Sequence, residues 1–316
     1  MLDLADARLE PLRAFHYFHE AINVHTKVSM AAAVLLVRHV GAPTDSSALG
    51  ELIQLAHPAW NSPPIWGLEI KNQRAFHDSV ASFAIVACFS AFDDFIVGTE
   101  AELSRVGESA AGKVGQSGKG ECCPKERSAD DNEDDEAERF FNLYKRHEWS
   151  VAGIEEWKPV LRYFRLIRNS IAHRASRASK ALAEHSVSEE LKNRLANLLD
   201  ASANGFPIPL QDDHLSLDPT LAILCSHVLR QLAQDANRRL VESLGEGGFL
   251  RSVAHHTMLG DKVVRSPYAY RSAEAVLNAA LTERYRVRVQ NKTDAIEAMA
   301  RHGLWRDYVR AFETKP

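Results

Sequence analysis

Only four cysteines occur in the 316 residues of this chain, Cys88, Cys122, Cys123 and Cys225. Their spacing forms neither a zinc-ligand pattern nor a disulfide framework, so no covalent or metal staple is expected to hold the fold. Cys88 and Cys225 fall in apolar helical patterns and read as small core residues. Cys122-Cys123 is a neighbouring pair in a polar stretch, and a reducing cytoplasm is the expected setting. A repeated strand pattern is also missing, which argues against a sheet-based fold. No leader pattern opens the chain, and the run from Met30 to Val37 is too short and too Ala-rich to span a bilayer, so no membrane is expected among the partners. Basic excess is absent too: the formal net charge is −4. Affinity for a polyanion must therefore come from a local concentration of charge.

What the chain does have is helical periodicity. Leu12, Phe15, Phe18, Ile22, Val28, Ala32 and Leu35 predict one long helix or two short ones between Ala7 and Val40. His16 and His19 stand one turn apart there, but no third ligand follows at a recognisable spacing, and they read as hydrogen-bonded or solvated side chains. Trp60 and Trp66 lie in a Pro-rich irregular stretch and are read as loop packing, with base stacking as the alternative. From Arg74 to Arg105, Phe76, Val80, Phe83, Ile85, Phe89, Phe92 and Ile96 make a broad apolar surface interrupted by Asp93 and Asp94. One of these carboxylates is expected to face water and the other to pair with an arginine.

Residues 107 to 138 are rich in Gly and Ser and end in an acidic run from Asp130 to Glu138, a composition that predicts an unstructured insertion. Gly112 to Lys119 superficially suggests a phosphate loop. Its glycines are out of register, no strand precedes it, and Gly120 occupies the position that needs Ser or Thr. Ser186 and Glu189 fit a capping box, and Asp218-Pro219 predicts a helix running to a stop at Gly245. Further on, Tyr268, Tyr270, Arg284, Tyr285, Arg286, Arg288 and Lys292 interleave basic and aromatic residues, a composition that can serve RNA. Two short helices joined at His302-Gly303 are expected near the end. His255-His256 has no partner spacing that would suggest chemistry.

The most informative stretch is 161–180, LRYFRLIRNSIAHRASRASK. Tyr163, Phe164, Ile167 and Ile171 recur at three- and four-residue steps, so one face of a helix is expected to be buried. Arg162, Arg165, Arg168, Arg174, Arg177 and Lys180 decorate it with no acidic residue among them. Asn169 and His173 share a face, and a flexible Arg168 can reach it. An imidazole can move a proton to or from a ribose oxygen, while a guanidinium can grip the phosphate in two-pronged fashion as charge builds. That pair suits cleavage of RNA without a metal or cofactor.

Arg168-Asn169-Ser170-Ile171-Ala172-His173, late in an all-α chain, resembles the motif of the HEPN superfamily. The resemblance implies an all-α, HEPN-like four-helix bundle at 71–245, interrupted by a disordered insertion at about 107–138. The bundle helices fall near 74–105, 157–175, 187–202 and 219–244, between a helical extension at 1–70 and a small basic helical region at 246–316. It implies a metal-independent endoribonuclease, a toxin or anti-phage effector, acting on RNA as a homodimer and held in check by an antitoxin or other regulatory protein. Arg168, Asn169 and His173 match the motif. Asp93, between apolar neighbours on an earlier helix, matches the acidic residue that points toward it. Arg165, Arg174 and Arg177 are the expected substrate contacts. The alternative is a non-catalytic module that binds nucleotide or RNA, or dimerises, while a partner protein acts.

Overall fold

The computed structural model describes residues 2–40, 70–110, 135–198, 208–260 and 272–314. Trp60, Trp66, Cys122, Cys123, Tyr268 and Tyr270 lie outside the described residues, as does most of the expected insertion. Among the described residues the chain is all-α: helices and turns, no strand, and two isolated bridges, Asp3 with Arg288 and Arg177 with His214. In chain order the helices are α1 (Glu10–Val40), α2 (Ile70–Ala110), α3 (Asp135–Arg146), α4 (Lys158–His173), α5 (Lys180–Ser186), α6 (Glu189–Leu198), α7 (Pro219–Ala254), α8 (Ala273–Ala279), α9 (Lys292–Arg301) and α10 (Trp305–Thr314). Because α2 runs on to Ala110 and α3 starts at Asp135, both ends of the expected unstructured segment are helical.

The chain divides into two compact units, neither of which is a continuous block. One gathers 1–17, 92–154 and 231–316; the other gathers 18–91 and 155–230. The first unit has an aromatic interior. Phe15 meets Phe92 edge-on at 6.0 Å, Phe92 meets Phe140 at 5.2 Å, and Phe140 meets Tyr144 at 5.1 Å. Gly98 brings α2 against the start of α1, since a Cβ there would sit 3.1 Å from Pro11. Asn237 ties down the N-terminal arm, its Oδ1 accepting from the Leu9 amide at 3.0 Å and its Nδ2 donating to the Ala7 carbonyl at 2.8 Å. Tyr285, from the stretch whose composition can serve RNA, is fully buried here. Arg284 pairs with Glu10 at 2.9 Å and Arg288 with Asp6 at 3.2 Å. Their charge is thus committed to the N-terminal arm.

The second unit is built around α4, flanked by α5 and α6. Pro159 stands in the first turn, where its missing N–H costs nothing. Val160, Leu161, Tyr163, Phe164, Leu166 and Ile167 are buried, while Ile171 near the helix end is only half-buried. Ser179 caps α5, its Oγ accepting from the Leu182 amide at 3.1 Å. The cap of α6 is Ser188, whose Oγ accepts from Leu191 at 3.4 Å; the expected Ser186 instead closes α5. A cap must stand just before the first helical residue, and Ser188 holds that position. At the head of α7, Asp218 accepts from the Thr220 amide at 2.7 Å.

Farther along α7, Gly245 breaks the helix at φ 59° and ψ −174°. Two apolar patterns behave differently from expectation. Phe18, Val28 and Leu35 of α1 and Phe83 of α2 are exposed rather than buried. Residues 74–106 are apolar and long enough to cross a membrane by length and composition, and their most apolar stretch is mostly buried in the protein.

Candidate nucleic-acid site

The motif occupies the last two turns of α4. Arg168 and Asn169 are half-buried, and Arg168 Nη1 donates to Asn169 Oδ1 at 3.0 Å. Asn169 therefore steers the guanidinium directly. His173 is the last residue of the helix and is exposed, and no side chain among the described residues bonds its imidazole. Arg165 departs from the expected role. It is 5% exposed, on the inner side of α4, and does not belong to a solvent-facing basic surface. The helix repeat explains this, because Arg165 follows Leu161 by four residues and so shares its buried face.

How the helix ends decides what surrounds His173. The Ser170 carbonyl accepts from the amides of both Arg174 at 3.1 Å and Ser176 at 3.0 Å. Ala175 and Ser176 are both left-handed, with φ of 49° and 62°. Two consecutive non-glycine residues in that region are unfavourable, at about 1–2 kcal/mol each, and tertiary contacts must hold them there. The contacts come from residues 210–215. The Leu215 amide donates to the Ser176 carbonyl at 2.8 Å, the Ala178 amide to Asp213 at 2.8 Å, and the Asp212 amide to Ala178 at 2.9 Å. Arg177 is thereby paired antiparallel with His214.

This return segment brings an acid that the local sequence did not reveal. Asp212, itself left-handed at φ 65°, accepts from Arg174 Nη2 at 2.9 Å through its carboxylate. Its main-chain carbonyl accepts from Arg177 Nη1 at 3.1 Å. Arg174 and Arg177, two of the three expected substrate arginines, are thus exposed but held. His214 is exposed as well, and its Nδ1 lies 3.1 Å from the Leu215 carbonyl. Since a carbonyl only accepts, Nδ1 carries the proton there. No residue-type pattern linked 212–214 to the motif, because they lie about forty positions away.

Asp93, Asp94 and His19 have settings of their own. Asp93 is half-buried and engaged by its surroundings, and it falls in the first unit, whereas the motif falls in the second. Asp94 is exposed. His19 is buried against Asn23, whose Nδ2 is 3.3 Å from its Nδ1. Burial first, and then the Arg230 charge, push its imidazole pKa down, so it is a neutral, internally bonded residue.

His256, without an evident role from sequence, closes a network in the first unit. Glu102 is almost fully buried, and its Oε1 accepts from His256 Nε2 and Arg105 Nη1, each at 2.6 Å. Its Oε2 accepts from Ser252 Oγ at 2.7 Å. Burial raises the Glu102 pKa, but hydrogen bonds from His256, Arg105 and Ser252 win and pull it down to about 2. A serine, a histidine and a glutamate meet here, yet the glutamate receives both bonds. The histidine does not bridge the serine and the acid, so nothing activates the hydroxyl as a nucleophile.

Among the described residues, no three His, Cys, Asp or Glu side chains gather to hold a metal ion. No family model, no curated protein and no solved structure matches the chain.

Proposed function

We propose that this protein is a metal-independent endoribonuclease of HEPN type, serving as a toxin or anti-phage effector. One observation carries the reading: an arginine held by its neighbouring asparagine shares the end of one helix with an exposed histidine that is unbonded among the described residues. Arg168 neutralises the charge that builds on the phosphate, in an orientation set by Asn169. His173 exchanges a proton with a ribose oxygen. Arg174 and Arg177 hold flanking phosphates after leaving Asp212. The four-helix HEPN core, formed by α2, α4, α6 and α7, belongs to this reading, as do a two-fold dimer and a regulatory partner protein.

The test is cleavage of tRNA, mRNA and ribosomal RNA by the purified full-length chain in EDTA, with analysis of product ends. Cyclic 2′,3′-phosphate ends are the expected result. An intact RNA panel would refute the enzyme. A second reading, a non-catalytic RNA-binding or dimerisation module, draws on Asp212, which already occupies both arginines. RNA retained without cleavage would favour it.

A further inference from the structure

Cleavage at a phosphodiester with 2′-hydroxyl attack needs two proton transfers, and the motif supplies one imidazole. We propose, resting on the ribonuclease reading above, that His214 is the general base of this site, carried on the same chain as His173.

Three features support this assignment. The Arg177–His214 bridge joins the return segment to the chain just beyond the motif. Directly opposed residues in such a bridge lie about 4.5–5.5 Å apart at Cα. Arg177 follows His173 by four residues, at most about 14 Å of extended chain. The left-handed turn at Ala175–Ser176, bonded back to Ser170, makes the real span shorter. His214 is also exposed, so a substrate can reach it. Finally, the Leu215 carbonyl fixes the proton on Nδ1, which leaves the Nε2 lone pair available. A hydrogen bond of this kind orients and tunes an imidazole that accepts protons at its other nitrogen.

The steps balance without a co-reactant. His214 Nε2 removes the 2′-hydroxyl proton, and the 2′-oxygen attacks phosphorus. The P–O5′ bond breaks, its electron pair stays on the 5′-oxygen, and protonated His173 supplies the proton that oxygen takes. The products are a 2′,3′-cyclic phosphate and a 5′-hydroxyl, with Arg168 beside the phosphate throughout. One chain then holds both proton-transfer groups, and in the two-fold dimer of that reading the second copy supplies neither of them.

The experiment compares wild type, His173→Ala, His214→Ala and His214→Gln, all full length, on ordinary RNA and on RNA with a bridging 5′-sulfur at the scissile bond. Sulfur leaves without an acid. Both His214 variants are expected to lose on the order of 100-fold or more in kcat with KM little changed. The rise of rate with pH at the acidic side should vanish in them, because that limb reports the base. The sulfur substrate should restore His173→Ala and leave His214→Ala slow. Mixing the two alanine variants should restore nothing, because each site lies within one chain. Wild-type rates from the His214 variants, while His173→Ala is inactive, would overturn the assignment and leave the ribonuclease reading standing. Rescue of His214→Ala by sulfur, or recovery on mixing, would likewise overturn it. No cleavage by wild type would remove both.

Discussion

Two histidine-containing constellations in this protein use the same functional groups in opposite ways. In the first unit, Glu102, Arg105, Ser252 and His256 close on one another, with the carboxylate almost fully buried and both its oxygens bonded. In the second, Arg168 leans on Asn169, Arg174 and Arg177 lean on Asp212, and His173 ends its helix unbonded among the described residues. A buried ionised group must be satisfied internally, or folding bears the cost of its desolvation. An exposed one carries no such obligation and can exchange its partner for a ligand. The first constellation is therefore closed on itself, and the second keeps exposed groups that can exchange partners, although nothing in the neighbouring residue types separates the two kinds of histidine.

Substitutions can break or sharpen that contrast. The largest effect is expected at the exposed site. His173→Ala and Arg168→Ala should each lower RNA cleavage on the order of 100- to 10,000-fold while leaving the helical circular-dichroism spectrum and the urea midpoint unchanged. A shift in midpoint would assign them to stability instead.

Next comes Glu102→Gln, which leaves Arg105 and His256 without their counter-charge and should cost about 3 kcal/mol in urea unfolding with little effect on RNA. Its pH signature follows from the lowered carboxyl. The folded pKa of about 2 lies below the ordinary 4.5, so its contribution is complete above about 4.5 and fades as pH falls toward 2. Wild type should lose stability across that window, and Glu102→Gln should lose less. Equal acid sensitivity in the two proteins would show that the network is not the source.

The smallest effect is expected from Asp212→Asn. The Arg174 pair is exposed on both sides and is worth about 0–1 kcal/mol, so affinity for a short RNA should rise by at most about fivefold. The salt slope of binding should steepen by about one phosphate contact as Arg174 is released. Weaker RNA binding would mean that Asp212 organises the site rather than competing for it.

Several elements are legible in the residues themselves. Pro159 ahead of an apolar periodicity locates α4, Asp218-Pro219 locates the start of α7, and Gly245 locates its break. These are local signals, in which a cap, a ring or a missing Cβ acts on its own neighbours. Amphipathic spacing is a weaker guide. Val28 and Leu35 continue the α1 pattern yet are exposed, since periodicity marks a face but not what covers it. Arg165 shows the converse: its charge suggests surface, and its place one turn beyond Leu161 puts it inside.

By itself the sequence determined the helical class, several helix ends and the Arg168–Asn169–His173 spacing, because each depends on residues within a turn or two of one another. Tertiary structure alone decided the rest. It brought 210–215 back against 176–178, set Asp212 on Arg174 and His214 opposite Arg177, and gave Glu102 to His256 across some 150 residues. The buried ones among these pairings arise because main-chain and charged groups excluded from water must find partners wherever the fold has placed them. Distance along the chain carries no trace of that requirement.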